Sequence, residues 1–375
     1  MAGKYVGLMS GTSADAIDAV LAEIDGDRFR LLASFRTPIP ADLQAAVRSL
    51  ARQGGLDELG DIDVALGELF AHAALGLLDQ AGVTPAEVAA IGSHGQTARH
   101  RPRARRPFTL QVGDPNIIAA RTGITTVADF RRRDVALGGQ GAPLVPAFHQ
   151  AVFASAGEAR AVLNVGGIAN VTRLWPGRDA TGFDTGPGNV LMDAWARRHL
   201  GLPWDEAGRW AASARPDDAL LDALLSHPYL ALPPPKSTGP EEFGPDWLDE
   251  VLAAPGPELD PARIQATLAE FTAETVARAF GDERPARLLV CGGGAKNAHL
   301  LARLAARLPG VHVASTAEAG IDPGLVEPSA FAWLAARTLV GLAGNLPSVT
   351  GASVAAPLGG IYTGTGRPEP AASSA

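Results

Sequence analysis

Short apolar blocks open the chain at Tyr5 to Met9, Ile17 to Ile24 and Phe29 to Ile39, broken by Ser10-Gly11-Thr12-Ser13 and by Asp25-Gly26-Asp27. Blocks of this length between turn residues predict three strands, and Asp-Gly between two of them predicts a hairpin. The apolar spacing then lengthens to three and four residues over Ala41 to Arg52 and Ile62 to Gln80, which predicts helices. A buried strand, Val88 to Ser93, follows and runs into the polar turn His94-Gly95-Gln96-Thr97. The opening pattern then returns: Ala161 to Val165, the turn Gly166-Gly167, and Ile168 to Leu174, closed by Pro176-Gly177-Arg178. Both halves of the chain therefore begin with a strand, a glycine-bearing turn and a returning strand.

Beyond Pro187 helical spacing dominates, over Asn189 to Leu200, Asp217 to Leu225, Asp246 to Ala253 and Pro261 to Phe280. One further buried strand, Arg287 to Cys291, meets Gly292-Gly293-Gly294 and enters a helix from Asn297 to Leu308. The stretch Leu232 to Gly244, with Pro233-Pro234-Pro235, reads as a loop, and the Pro/Ala/Ser tail after Gly364 as a frayed end.

A length of 375 residues implies two domains or one with large insertions, since a domain runs to about 100–200 residues. With 46% hydrophobic and 19% charged residues the chain can bury a sizeable core, which excludes intrinsic disorder for most of it. The net charge of −8 argues against a nucleic-acid partner, because polyphosphate binding needs a basic surface. Cys291 is the single cysteine, so neither a disulfide scaffold nor a zinc cage is available and a reducing, cytoplasmic setting is expected. No signal peptide is expected at the start, where polar turn residues interrupt the apolar run, and Arg337 interrupts the apolar segment Phe331 to Ala343, so no membrane partner is expected either.

Three glycine-bearing strand ends could carry chemistry. In Gly7 to Asp18 a strand delivers Gly11, Thr12, Ser13 and Ala14, whose N–H and hydroxyl groups could surround a phosphate, with Asp15 and Asp18 placed to meet magnesium; taken alone, the segment reads first as an ordinary hairpin turn. In Leu163 to Thr172 the pair Gly166-Gly167 lets backbone approach an anion. In Leu288 to Asn297 the triple glycine before a helix suits a base or phosphates, and equally a tight crossover turn. Asp184, just before a helix expected to start near Pro187, is either a helix cap or a reactive carboxylate. Glu327 stands at a helix N-terminus, where the dipole favours it. Asp129-Phe130-Arg131-Arg132-Arg133-Asp134 is a solvated charge run or an anion fork; in a strand its arginines would alternate faces.

Two lobes each opening on a phosphate hairpin, with a glycine-rich base site in the second, is the pattern of the actin-like ATPase fold. The segments MSGTSADAID, GSHGQTARH, LQVGDP, TGITTVADFRRRDVALGGQGAPLVPAFH, LNVGGIANVT, GFDTGPGNVLMDAW, PPPKSTG, GGGAKN and AFAWLAARTLVGLAGNLPSVTGA, in this order over residues 5 to 363, resemble the anhydro-N-acetylmuramic acid kinase family. The resemblance implies an α/β fold of two RNase H-like lobes with an interlobe nucleotide and sugar cleft, the first lobe comprising residues 1–127 joined by 342–375 and the second 128–341. It implies a kinase that uses ATP with Mg2+ to hydrolyse the 1,6-anhydro bridge of a cell-wall sugar and phosphorylate O6. It also implies a homodimer. A kinase for another sugar and an actin-like ATPase that holds a partner are the alternatives.

The same resemblance implies site residues. Asp184 would be the general base and Glu327 the second catalytic carboxylate. Gly11, Thr12, Ser13, Ala14, Asp15, Ala16, Ile17, Asp18, Asn164, Gly166, Gly167, Gly292, Gly293, Gly294 and Asn297 would meet ATP, with Asp15 and Asp18 also near its magnesium. Gln96, Thr97, Arg131 and Gly186 would meet the sugar. Ala16 stands where the family has glycine, and its Cβ would oppose a positive φ there.

Overall fold

The computed structural model describes residues 2–11, 14–234, 236–239, 241–253 and 259–366, with the backbone alone at 51–53. The chain starts as an antiparallel meander, β1 (Gly3–Ser10), β2 (Ala16–Asp25) and β3 (Arg28–Pro38), in which Met9 faces Asp18. The helix Leu56–Ala81 buries Ile62, Leu66, Phe70, Ala73, Ala74 and Leu77, a stripe of three- and four-residue steps, and ends where Gly82 takes φ 64°. Then β4 (Val88–Ser93) pairs parallel to β1. A side hairpin of β5 (Gln96–Arg101) and β6 (Phe108–Val112) follows, and β7 (Thr126–Ala128) pairs parallel to β4.

The second half repeats the design. β8 (Arg160–Val165), β9 (Ile168–Leu174) and β10 (Thr181–Pro187) form a meander, and β11 (Arg287–Cys291) pairs parallel to β8 and to β12 (His312–Ser315). The chain returns to the first sheet with the helix Val326–Leu339 and β13 (Gly360–Tyr362). The sheet orders are β13-β7-β4-β1-β2-β3 and β10-β9-β8-β11-β12. Counted within each main sheet, both run 3-2-1-4-5 with the second strand antiparallel and the fourth and fifth parallel to the first, the RNase H-like arrangement the paired openings predict, and β13 adds a sixth strand at the edge of the first sheet.

The compact units are Met1–Val152 with Leu325–Ala375, and Phe153–Gly324. The divisions therefore fall at 152/153 and 324/325, where the sequence reading puts them at 127/128 and 341/342. Aromatic packing of Phe148 on Phe29 and Trp333, and of Phe130 on Phe331, accounts for the difference by tying residues 130–152 and the helix Val326–Leu339 to the first unit. That helix lies flush on β1 and β4 because Gly7 and Gly92 lack side chains: a Cβ on Gly7 would stand 1.9 Å from the Pro328 carbonyl oxygen, and one on Gly92 2.0 Å from that of Phe331. In the second unit Val165, Val171, Phe183, Trp195, Phe271 and Val290 share a core.

Two local expectations change. Asp184 lies within β10, not at a helix start, and the following helix runs Val190–Leu200 with Asn189 at its N-cap, which removes the capping alternative for Asp184. The arginine run is helical, Phe130–Ala136, after Asp129 in the left-handed region at φ 61°. Positions 131, 132 and 133 then point in directions about 100° apart, so the three side chains are sorted around a helix and not across a strand.

Candidate active site

In the first unit the parallel strands β1 and β4 end at Ser10 and Ser93, both 1% exposed, with hydroxyls that have no partner among the described residues. The turn after β4 places buried His94 against Arg131, whose Nε donates to His94 Nε2 at 2.9 Å while its Nη1 donates to the Gly141 carbonyl at 2.7 Å. Since an arginine only donates, His94 Nε2 must accept and the ring proton sits on Nδ1, 2.8 Å from the Gly95 carbonyl. Burial and the Arg131 charge hold the His94 pKa well below its ordinary 6.5, so the ring is neutral. Arg132 and Arg133 are exposed, so of the three arginines only Arg131 is built into the turn.

Glu327, in the first turn of the helix Val326–Leu339, has its pKa raised by burial and by the nearby Asp18 carboxylate, against the pull of Arg131. The structure thus brings Asp18 and Arg131 each within electrostatic reach of Glu327. Gln96 is 3% exposed, and its Oε1 has no partner among the described residues. Thr97 accepts a hydrogen bond from Gln111 Nε2 at 3.2 Å, which ties it to the β5–β6 hairpin.

The first glycine turn follows the end of β1. Thr12 and Ser13 lie outside the described residues, and Gly11 accepts from the Ala14 N–H at 3.0 Å. The positive φ of this turn falls on Ala14, at 53°, while Ala16 begins β2, so the missing glycine at position 16 causes no backbone conflict. The side chains of Ala14, Ala16 and Ile17 are in the core, leaving only the main chain of these three to meet a ligand. Asp15 is exposed 3.7 Å from Arg48, and Asp18 lies 3.6 Å from Arg36. Among the described residues no three His, Cys, Asp or Glu side chains form a metal cage.

In the second unit the Gly166-Gly167 turn is latched to the start of the helix Val190–Leu200. Gly167 O accepts from Gly188 N at 2.8 Å and Val190 N at 3.1 Å, and Gly166 O from Asn189 N at 2.8 Å. The triple glycine sits on the end of β8. Gly292 has φ 78°, its added Cβ would lie 2.4 Å from Asn164 Oδ1, and that of Gly294 would lie 2.4 Å from Val165 Cγ1. Asn297 caps the helix Ala298–Arg307, its Oδ1 accepting from Leu300 N at 2.9 Å.

Beside these glycines opens a cavity of about 390 Å3, lined by Asn189, Asp193, Trp204, Gly293, Lys296 and Asn297 among others. The cavity is of nucleoside size, with an exposed indole for a flat ring. Burial and the neighbouring Asp205 raise the Asp193 pKa to about 6 against the pull of Arg197. The sequence reading names the glycines and Asn297 as nucleotide contacts but not Asp193, Lys296 or Trp204; Asp193 and Lys296 fall within the segments GFDTGPGNVLMDAW and GGGAKN, whereas Trp204 lies outside every such segment.

Asp184 is held from three directions by one loop. Its N–H donates to the Lys236 carbonyl at 3.1 Å, its carbonyl accepts from the Tyr229 hydroxyl at 2.7 Å, and its Oδ2 accepts from the Thr238 N–H at 3.0 Å. Oδ1 has no partner among the described residues. Burial raises the carboxyl pKa to about 6, with the Thr238 N–H opposing it, which keeps the group ionised at neutral pH yet basic enough to take a proton. Gly186, two residues on, takes φ 147° beside a bulge in the β9–β10 register.

Two RNase H-like units in tandem, each opening on a glycine-bearing hairpin, place the chain in the class of actin-like ATPase folds, which includes sugar kinases. More narrowly, it belongs to the anhydro-N-acetylmuramic acid kinase family, whose model matches residues 3–364. It is similar to the anhydro-N-acetylmuramic acid kinase of Shewanella halifaxensis (strain HAW-EB4), at 53% identity over 96% of this chain and 98% of that one. The enzyme of the same name from Shewanella pealeana (strain ATCC 700345 / ANG-SQ1) is 52% identical over the same shares. Among solved structures, component A of (R)-2-hydroxyglutaryl-CoA dehydratase from Acidaminococcus fermentans aligns over 88% of this chain and 95% of that one, at 13% identity and TM-score 0.48.

Proposed function

We propose that this chain is an ATP-dependent kinase that opens 1,6-anhydro-N-acetylmuramic acid with water and phosphorylates the freed O6, giving N-acetylmuramic acid 6-phosphate and ADP in cell-wall recycling. The observation that carries the reading is family membership across residues 3–364, with Asp184 held as a carboxylate whose pKa is about 6.

Asp184 Oδ1 takes a proton from water as its oxygen bonds to the anomeric carbon. The bond from that carbon to O6 breaks, O6 bonds to the γ-phosphorus, and the bond from that phosphorus to the bridging oxygen of ADP breaks. Glu327 is the second carboxylate, stabilising positive charge on the ring oxygen and anomeric carbon. Arg131, oriented by His94, receives the lactyl carboxylate of the sugar, while Gln96, Thr97 and Gly186 meet its hydroxyl and N-acetyl groups. Main chain of Gly11, Ala14, Ala16 and Ile17, and of Gly166-Gly167, approaches the phosphates, and the hydroxyls of Thr12 and Ser13 are assigned to them from the sequence. Asn164 and Gly292 to Asn297 line the nucleoside end, together with Asp193 and Trp204. Asp15 and Asp18 would hold a magnesium ion carried with ATP, which would offset the repulsion Asp18 exerts on Glu327 and neutralise phosphate charge. Cytoplasmic placement and a homodimer complete the reading, and no membrane-spanning helix occurs among the described residues.

The test is incubation of the protein with ATP, magnesium and the anhydro sugar. The reading expects ADP and the sugar 6-phosphate in equal amounts. Neither product at high enzyme overturns it, and turnover of ordinary hexoses in preference to the anhydro sugar replaces the substrate.

A further inference from the structure

A second cavity in the same unit, of about 460 Å3, lies beside β10 and is lined by Phe183 and Thr185, the two neighbours of Asp184. Phe183 and Asp184 are consecutive in the regular part of the β9–β10 register, before the bulge, so their side chains face opposite ways and the cavity that Phe183 lines does not belong to the Asp184 carboxylate. Its Arg173 pairs with Thr181 in the β9–β10 register, at the end of β9 remote from the Gly166-Gly167 turn, so it does not belong to that turn either. The charged groups lining it are Arg173, Lys236 and Arg278, and no Asp or Glu is among them. Arg278 is neutralised by Glu274 at 2.8 Å.

The other two cations are not paired within the described residues. Lys236 Nζ donates to the Tyr229 and Leu230 carbonyls at 3.3 and 3.2 Å and lies 4.7 Å from the centre of the Tyr229 ring. Arg173 donates to the Ala279 carbonyl, lies over the Phe183 ring at 5.2 Å, and keeps a buried Nε with no hydrogen-bond partner. Glu283 acts on it only through space while paired to Arg178 at 2.9 Å. Burial lowers the pKa of both cations, the sign of charge held away from water without a counter-ion. The remaining wall sets apolar Leu225, Leu230, Pro234 and Phe280 beside the neutral polar groups of Thr185, Ser226, His227 and Thr275. A volume of this size accepts a six-membered ring with one substituent.

We propose that this cavity is a binding site for an organic anion, a carboxylate or phosphate ester on a compact apolar body, whose charged end meets Lys236 and Arg173. It goes beyond the kinase reading and does not depend on it, since the site shares no side chain with the proposed base, the sugar contacts or the nucleoside cavity.

The experiment is titration of the full chain by calorimetry and thermal shift with phenyl phosphate, phenylacetate and the uncharged benzyl alcohol. Saturable binding of either anion, absent for benzyl alcohol, is expected. The anion that binds tells which headgroup is preferred. Lys236→Met and Arg173→Gln should each weaken it by about tenfold or more, the scale of one lost charge-assisted hydrogen bond, while Arg131→Gln in the other unit should leave it unchanged. Lys236→Met keeps the test open should the Arg173 variant fail to fold, and a crystal grown with the bound anion locates it. Absence of saturable binding by both anions overturns the proposal. So does binding that survives Lys236→Met or disappears in Arg131→Gln.

Discussion

Arg131 Nε lies 2.9 Å from His94 Nε2, and this contact fixes the tautomer of a ring that burial, with the Arg131 charge, keeps neutral. With Nε2 accepting and Nδ1–H donating to Gly95, a second ring proton would face the guanidinium directly. Nitrogen-detected NMR of His94 should show the neutral Nδ1–H tautomer, unchanged from pH 8 to about pH 5, below the ordinary titration point. A resonance titrating near its ordinary pKa would mean that Arg131 is not held there. The linked effect on stability has a fixed sign. His94 stays neutral in the native state while the unfolded chain takes up its proton, so its contribution falls as pH drops below the ordinary 6.5.

Asp184→Asn keeps the Thr238 N–H partner but removes the proton acceptor. Turnover should fall roughly 10²-fold or more, with sugar and nucleotide binding retained. The native pKa of about 6 lies above the ordinary 3.8, so the native state holds the proton better and the ionised form costs stability above pH 6. The variant should therefore melt higher than wild type at pH 7.5, by an amount of order 1–3 kcal/mol, and the advantage should vanish below about pH 4. In wild type, kcat/KM should rise through about pH 6 as the base ionises. Retained turnover removes Asp184 from the mechanism.

Tyr229→Phe tests the clamp without touching the carboxylate. The hydroxyl donates to the Asp184 carbonyl at 2.7 Å, on a strand with a sheet neighbour on one side only. Its loss should cost about 1 kcal/mol in stability. The measurement to make alongside is kcat against KM for the sugar. A misaimed base lowers kcat several-fold with little change in KM, whereas a purely structural tyrosine leaves both in place.

Gly7→Ala and Gly92→Ala should each destabilise the first unit by a few kcal/mol, because each methyl would meet main chain of the helix Val326–Leu339 and not a movable side chain. Gly60→Ala is the control. Its Cβ meets nothing within 4 Å in the helix Leu56–Ala81, so denaturant melts should find it neutral or more stable by about 0.5–1 kcal/mol. Equal melting of all three variants would contradict the close approach.

The strands Val88–Ser93 and Arg287–Cys291 have the bounds read from the chain, because a buried run ended by polar or glycine residues is a local signal. The doubled strand–turn–strand opening was equally local, and it foretold two sheets of like order. The resemblance points to Arg131, yet its difference from Arg132 and Arg133 comes from a short helix seven residues long, for which a charge run carries no periodic signal.

The sequence by itself determined the opening strands, the long helices, the duplicated hairpins and the family, since alternation, turn residues and motif order all act over a few neighbouring positions. Only the tertiary structure decided how the candidate base is prepared. Asp184 meets Tyr229 and Thr238 across 45 and 54 residues of chain, and burial of its carboxyl depends on that fold. It likewise decided that Gly7 and Gly92 face a helix beginning at Val326, and that Lys236 and Arg173 share one cavity. Desolvation and close approach depend on what lies opposite a residue in space, and local spacing along the chain carries no record of that.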